Sequence, residues 1–170
     1  MKIAEFCAKL DALLTTRATQ PEKLDAIVSA LRQALKLQPD EVALLTVDVA
    51  AETLVFLWPA KLAKSGFIPL SSRDSLAART LRENKVFVNN RFSATFHASV
   101  FEQVKLDPAA EGRPLPIQKI ISVPIPGETA PKGVLQLSRK ATEPGQAGDD
   151  FSKEDMAALT EVAQIIAKHI

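Results

Sequence analysis

The chain has 170 residues, 46% of them apolar and 24% charged, and a formal net charge of +1. This is the composition of a folded globular chain and not of a disordered one, and it lacks the basic stripe that a nucleic-acid binder presents. The one cysteine, Cys7, excludes an intramolecular disulfide framework, and no apolar run approaches the ~20 residues of a membrane-spanning helix.

These features lead to the expectation of a single cytoplasmic domain over residues 1–170 that needs neither disulfide nor metal to fold. Residues 1–18 add an N-terminal amphipathic helix. Its mixed charge (Lys2, Glu5, Lys9, Asp11) is not that of a signal peptide.

In chain order, Ile3, Phe6, Leu10, Leu13 and Leu14 recur at helical spacing. Thr19-Gln20-Pro21-Glu22 then reads as a helix start, with a capping threonine, a proline in the first turn and a glutamate that completes a capping box. Leu24, Ile27, Val28, Leu31 and Leu35 form the apolar stripe of this second helix. VALLTV (42–47) and TLVFLW (53–58) are short, β-branched and aromatic, and read as a hairpin. A looser stretch follows to Leu70. Ser71 with Asp74, or Ser72 with Ser75, is expected to cap a helix carrying Leu76, Ala77 and Leu81.

Val86-Phe87-Val88 is expected as a strand that Asn89-Asn90 breaks. Ser93 is expected to cap a further helix carrying Phe96, Val100, Phe101 and Val104. Residues 106–116, with Pro108, Gly112, Pro114 and Pro116, read as a loop. KIISVPI (119–125) and GVLQLS (133–138) form a second hairpin, with Pro124 expected at a bulge or an unpaired position. Ser152-x-x-Asp155 caps a last helix bearing Met156, Leu159, Val162, Ala163, Ile166 and Ile170. The order predicts an α+β fold. Its core is a central, mostly antiparallel sheet of five to six strands flanked by helices, with the N- and C-terminal helices packed together on one face.

Two blocks carry a family resemblance. IPLSSRDSLAARTLRENKVFVNN (68–90) is one. The other combines IQKIISVPIPGETAPKGVLQLSRK (117–140) with FSKEDMAALTEVAQIIAKHI (151–170). Over about residues 21–170 the chain resembles a GAF domain, a family of small-molecule-sensing and dimerisation modules. The resemblance implies a pocket between the sheet and the 89–116 segment, so that VFVNNRFSATFH (86–97) would be an edge strand plus the pocket's lid.

Within that segment the candidate ligand-binding residues are Asn89, Arg91, Phe92, Phe96, His97 and Phe101. Pockets are largely apolar with a few polar groups, which suits the phenylalanines. Phe96 and Phe101 suit the core of a short helix better, and Phe92 is the better pocket candidate of the three. His97 could hold an anion or act as a switch, or be a surface histidine. Arg91 could hold a carboxylate or phosphate, in which case Arg91→Ala would weaken an anionic ligand more than a neutral one. Asn89-Asn90 also suits a turn that uses left-handed backbone angles.

No metal site is expected, because His97 and His169 lie far apart in sequence and no HxxxH or CxxC occurs. No nucleophile elbow or P-loop occurs either, and no cofactor is assigned. The enzymatic branch of the family, which reduces free methionine sulfoxide, uses several pocket cysteines, and a thiol–disulfide cycle needs two thiols. The expectation is therefore a chain that is not an enzyme. The chromophore-binding branch's Asp-Ile-Pro stretch is absent. Of the cyclic-nucleotide signature Phe151 and Asp155 match but the Asn and the final Glu are missing, and both matching residues also serve the helix start.

The expected function is a non-catalytic sensory or regulatory module that binds an unidentified small molecule and signals as a homodimer through its terminal helices, with a separate signalling protein as a further partner. The alternative is a structural dimerisation domain with a collapsed pocket. A third reading, a redox or chromophore protein, depends on Cys7.

Overall fold

Helix termini are set by local chemistry that the sequence states openly. The computed structural model describes residues 2–98, 100–109 and 111–170. Helix α1 (Ile3–Thr15) is followed by α2 (Gln20–Leu35), where Thr19 Oγ1 accepts from Glu22 N and Glu22 Oε2 accepts from Thr19 N at 3.1 Å. The final helix, α5 (Lys153–His169), starts on the same reciprocal pair, Ser152 and Asp155. Each box satisfies backbone donors that have no partner within the helix.

Between them run β1 (Val42–Asp48), β2 (Thr53–Trp58), the short α3 (Ala60–Ala63), β3 (Ile68–Pro69), α4 (Leu76–Glu83), β4 (Phe87–Asn89), β5 (Ile117–Ile125) and β6 (Gly133–Lys140). Among the described residues these strands form one sheet in the order β3-β2-β1-β6-β5-β4, with every pairing antiparallel. The fold is thus α+β with six strands, as expected. β3 and α3 fall in the stretch expected to be irregular.

Strand alternation divides the core in two. Leu44, Ile121, Val123, Ile125, Leu135 and Leu137 pack with α1, α2 and α5 on one face. Leu45, Leu54, Phe56 and Val134 pack with Leu62 of α3 and Ala77 of α4 on the other. A one-residue slip would exchange these sets, so the pattern fixes the register.

Three local expectations need correction or narrowing. Helix α4 is capped by Ser75, whose Oγ accepts from Ala78 N at 3.2 Å, and not by Ser71 or Ser72. Arg82 Nη1 donates to the Leu70 and Ser72 carbonyls at 2.5 and 2.7 Å and holds that stretch outside the helix. Of the two places expected for Pro124, a bulge or an unpaired position, it takes the second, on the β4 side. It pairs in register with Val134, two residues beyond Ser122, where pairing with β4 ends. The irregularities lie at Ile117/Lys119 and at Leu44/Leu45 instead.

The third correction concerns the helix expected from Ser93 to Val104. Residues 92–103 form two short 3-10 turns, Phe92–Ala94 and Val100–Gln103. Side chains take the bonds a helix would use. Asn89 Oδ1 accepts from Arg91 N at 2.9 Å, Asn89 Nδ2 donates to Thr95 Oγ1 at 2.9 Å, and Ser93 Oγ donates across to Gln118 Oε1 at 2.6 Å. The side chain of Val100, expected on that helix, and position 110 of the expected loop lie outside the described residues.

The terminal helices meet as expected. Leu10 and Leu14 of α1 and Ile166 of α5 are buried in one cluster, with Ile3, Phe6, Ile165 and Ile170 half-buried around it. His169 Nε2 lies 2.6 Å from Asp11 Oδ1, and Lys168 Nζ lies 3.6 Å from Asp11 Oδ2. The His169 hydrogen bond holds the Asp11 carboxyl below its ordinary range, and the Lys168 charge adds to this.

The stabilisation from this contact is complete above the unfolded carboxylate value of about 3.9 and is lost as pH falls through the lower folded value. Asp11→Asn is therefore expected to flatten the acid limb of stability, measured by urea denaturation between about pH 5 and pH 2. An unaltered acid limb would show that this contact does not hold α1 to α5.

Candidate functional site

The sheet face opposite the long helices is not fully covered. β6 points Gln136, Ser138 and Lys140 to this face, while Leu135 and Leu137 point to the other. α4 covers part of it and ties itself down by a buried polar chain. Gln136 Nε2 donates to Ser122 Oγ at 3.1 Å, the Ser122 and Thr80 hydroxyls are 2.7 Å apart, and Thr80 Oγ1 donates to the Leu76 carbonyl at 2.8 Å. Residues 92–98 and 100–106 fold over the remainder. A hollow of about 100 Å³ is left between the segment, α4 and the sheet. It is smaller than the roughly 150 Å³ cavity that accepts benzene and has room for about three waters.

Of the six residues singled out in the sequence, the structure brings three to this hollow. Phe92 is buried and stacks on the His97 ring, with centroids 3.9 Å apart, and Phe101 lies against Phe56 at 4.8 Å. His97 is fixed at both nitrogens. Nδ1 is 2.7 Å from the Thr95 carbonyl, and Nε2 contacts Glu102 Oε1. A carbonyl can only accept, so Nδ1 is the donor in the bond to Thr95. Glu102 Oε2 also accepts from Ile117 N at 2.9 Å, which ties the segment to the first residue of β5.

The other three lie elsewhere. Asn89 is occupied by its turn bonds, Arg91 is exposed, and Phe96 is 85% exposed, turned away from the hollow. The reason is the missing helix: without it, Phe92, Phe96 and Phe101 do not share a face. The left-handed backbone angle belongs to Asn84, the α4 C-cap, and not to Asn89 or Asn90. Asn90 has a different task. Its side chain donates to the Phe151 carbonyl at 3.0 Å and accepts from Phe151 N at 2.9 Å, which joins the end of β4 to the start of α5.

The sequence reading missed the polar side of the hollow. Glu41 is buried, with Oε1 accepting from Lys140 N at 2.6 Å and Oε2 from Gln38 N at 2.7 Å. Lys140 Nζ pairs with Asp40 at 3.1 Å. This pair lies where the hollow adjoins a wider outer cleft of about 650 Å³. A signal was present: Gln136, Ser138 and Lys140 alternate with Leu135 and Leu137 in a strand buried on both faces, so the polar set had to face something other than packed core.

Cys7 is buried in the helical layer on the opposite face and does not line the hollow. Burial, with a smaller contribution from Glu161, pushes its thiol pKa up. Native protein is therefore expected to react slowly with a thiol reagent near pH 8 and fast once unfolded. Equal rates would place Cys7 at the surface.

No protein-family model and no curated protein sequence matches the chain. Solved structures do. A GAF domain from an Acinetobacter phosphoenolpyruvate-protein phosphotransferase superposes with a TM-score of 0.73 at 12% identity, covering 99% of this chain and 93% of that one. A free methionine-R-sulfoxide reductase from Neisseria meningitidis, in complex with its substrate, gives 0.70 at 17% identity over 98% and 87%. Residues 122 to 287 of a methyl-accepting chemotaxis protein give 0.64 at 16% identity over 94% and 93%. The reductase overturns one expectation. An enzyme is built on this same fold, so the reading of the chain as not an enzyme is withdrawn.

Proposed function

From a chain that carries the GAF-domain fold, we propose a regulatory module that holds a compact small molecule in the hollow between the sheet and the 89–116 segment. The hollow itself is the observation that carries this reading. A partly open space of about 100 Å³, apolar over most of its wall and polar along the β6 edge, has the mixed lining of a ligand site at a size that suits only a compact molecule. The phenylalanines narrow it without filling it, which favours this reading over a collapsed pocket. Phe92, His97 and Phe101 are the residues of the original six that would touch the ligand. The methyl-accepting chemotaxis protein among the fold's neighbours is in keeping with a regulatory role.

Dimerisation through α1 and α5 belongs to the same proposal. Their shared packing uses most of the apolar stripe, and the half-buried Ile3, Phe6, Ile165 and Ile170 supply the remaining surface. Sedimentation at micromolar concentration tests this: a monomer throughout would remove the dimer from the proposal.

The ligand reading is tested by thermal-shift screening of nucleotides, amines, amino acids and organic acids, because a molecule that binds only the folded state raises the melting temperature. Ala43→Leu places extra carbons at the wall of the hollow. Any compound that raises the melting temperature of the parent protein should lose that effect in the variant. A shift that survives the filled hollow would place binding elsewhere.

A further inference from the structure

Charge in the lining narrows the ligand class, and this step rests on the site reading above. Four carboxylates line the hollow, Asp40, Glu41, Asp74 and Glu102, against one lysine, Lys140, and His97. The pairs cancel unevenly. Lys140 is taken by Asp40 and His97 by Glu102. Glu41 has only backbone N–H partners, and Asp74 has no ion pair among the described residues. Two carboxyl groups are therefore left without a cationic partner among the described residues, one of them the buried Glu41. Arg91, the cation that would have favoured an anionic ligand, is exposed and away from the lining.

The apolar part of the wall has the matching character. Phe56, Phe92 and Phe101 present three rings to a space smaller than a benzene cavity. The rings offer an apolar surface to an alkyl chain, and the carboxyl groups offer partners to an ammonium group. An excess of carboxyl groups over basic ones in a cleft also raises the local concentration of positive charge. The two backbone N–H bonds leave further lone pairs on the Glu41 oxygens for a bound cation.

We propose that the hollow selects a small organic cation, a short alkylammonium in size and charge, over an anion of the same shape. The ammonium group sits toward Glu41 and Asp74, and the alkyl part lies among the phenylalanine rings.

Titration calorimetry and thermal shift with n-propylammonium, propionate and 1-propanol provide the test. Propylammonium is expected to bind and to raise the melting temperature, and propionate to do neither. Glu41→Gln should weaken propylammonium binding by about tenfold or more, as expected for loss of a charged hydrogen-bond partner. That variant also disturbs the turn at residues 39–41 and could fail to fold. Asp74→Asn changes an exposed side chain and should weaken binding by about two- to fivefold with folding intact.

Propionate binding as tightly as propylammonium, or equal propylammonium affinity in the parent and Asp74→Asn proteins, would overturn the cation assignment. Binding of propanol with neither ion preferred would overturn the assignment and leave the small-molecule site standing. Silence from all three probes and from the wider screen would remove both.

Discussion

Replacing Ile166 by alanine is expected to destabilise the protein by about 2–5 kcal/mol. Ile166 is 0% exposed and belongs to the cluster that joins α1, α2 and α5 to the sheet through Leu14, Ile27 and Leu135. Two terms add. The removed carbons lose their transfer free energy, and the cavity left behind cannot close, because the helices and the sheet around it are held by other contacts. The adjacent Ile165 is half-buried on the same helix. Ile165→Ala is expected to cost clearly less, about 1 kcal/mol. Urea denaturation of the two variants separates them. Equal losses would show that α5 does not present the Ile166 face to the core.

Alanine at Gly133 should lower stability by about 1–3 kcal/mol or more, through a different mechanism. A Cβ at this position would come closer than 3.0 Å to the Leu45 carbonyl oxygen, nearer than real Cβ atoms approach. The obstacle is backbone, held on both sides by the β1–β2 and β1–β6 ladders, so no side chain can swing away. The strand has to shift instead. β6 also carries Gln136, Ser138 and Lys140 to the hollow, so the variant is expected to weaken any ligand-induced thermal shift as well. Gly145 is the control: nothing lies within 4 Å of its added Cβ, and Gly145→Ala should stay within about 0.5 kcal/mol of the parent. Equal effects at the two glycines would mean that the strands are looser than this packing requires.

The site was only partly legible in the sequence. Phe92, His97 and Phe101 stood out because aromatic and titratable side chains clustered in one short segment. Asn89, Arg91 and Phe96 stood out for the same reason, yet the segment is not the helix that would have aligned them. Local side-chain bonds from Asn89 and Ser93 compete with helix formation there, and such bonds depend on where Thr95 and Gln118 lie in space. Glu41, Ser75, Gln136, Ser138 and Lys140 come from separate parts of the chain, so no short motif announces them. The alternation in β6 was the one available sign.

Catalysis shows the same limit from another side. The absence of a second cysteine argued against one known chemistry, but reductases built on the same fold at 17% identity show that the scaffold accommodates an active site. Motif searching tests for particular reactions; it does not measure what a cavity can do.

By itself, the sequence determined the elements whose signals are local. The capping boxes at Thr19 and Ser152, the apolar stripes of α1, α2 and α5, and the alternation of β5 and β6 are written in neighbouring residues, and an antiparallel α+β sheet follows from them. Tertiary structure alone decided which polar groups face the hollow, how large it is and what charge it carries. Those properties arise from residues far apart in the chain, whose side chains share one space only after the strands have paired and α4 has docked on β5 and β6.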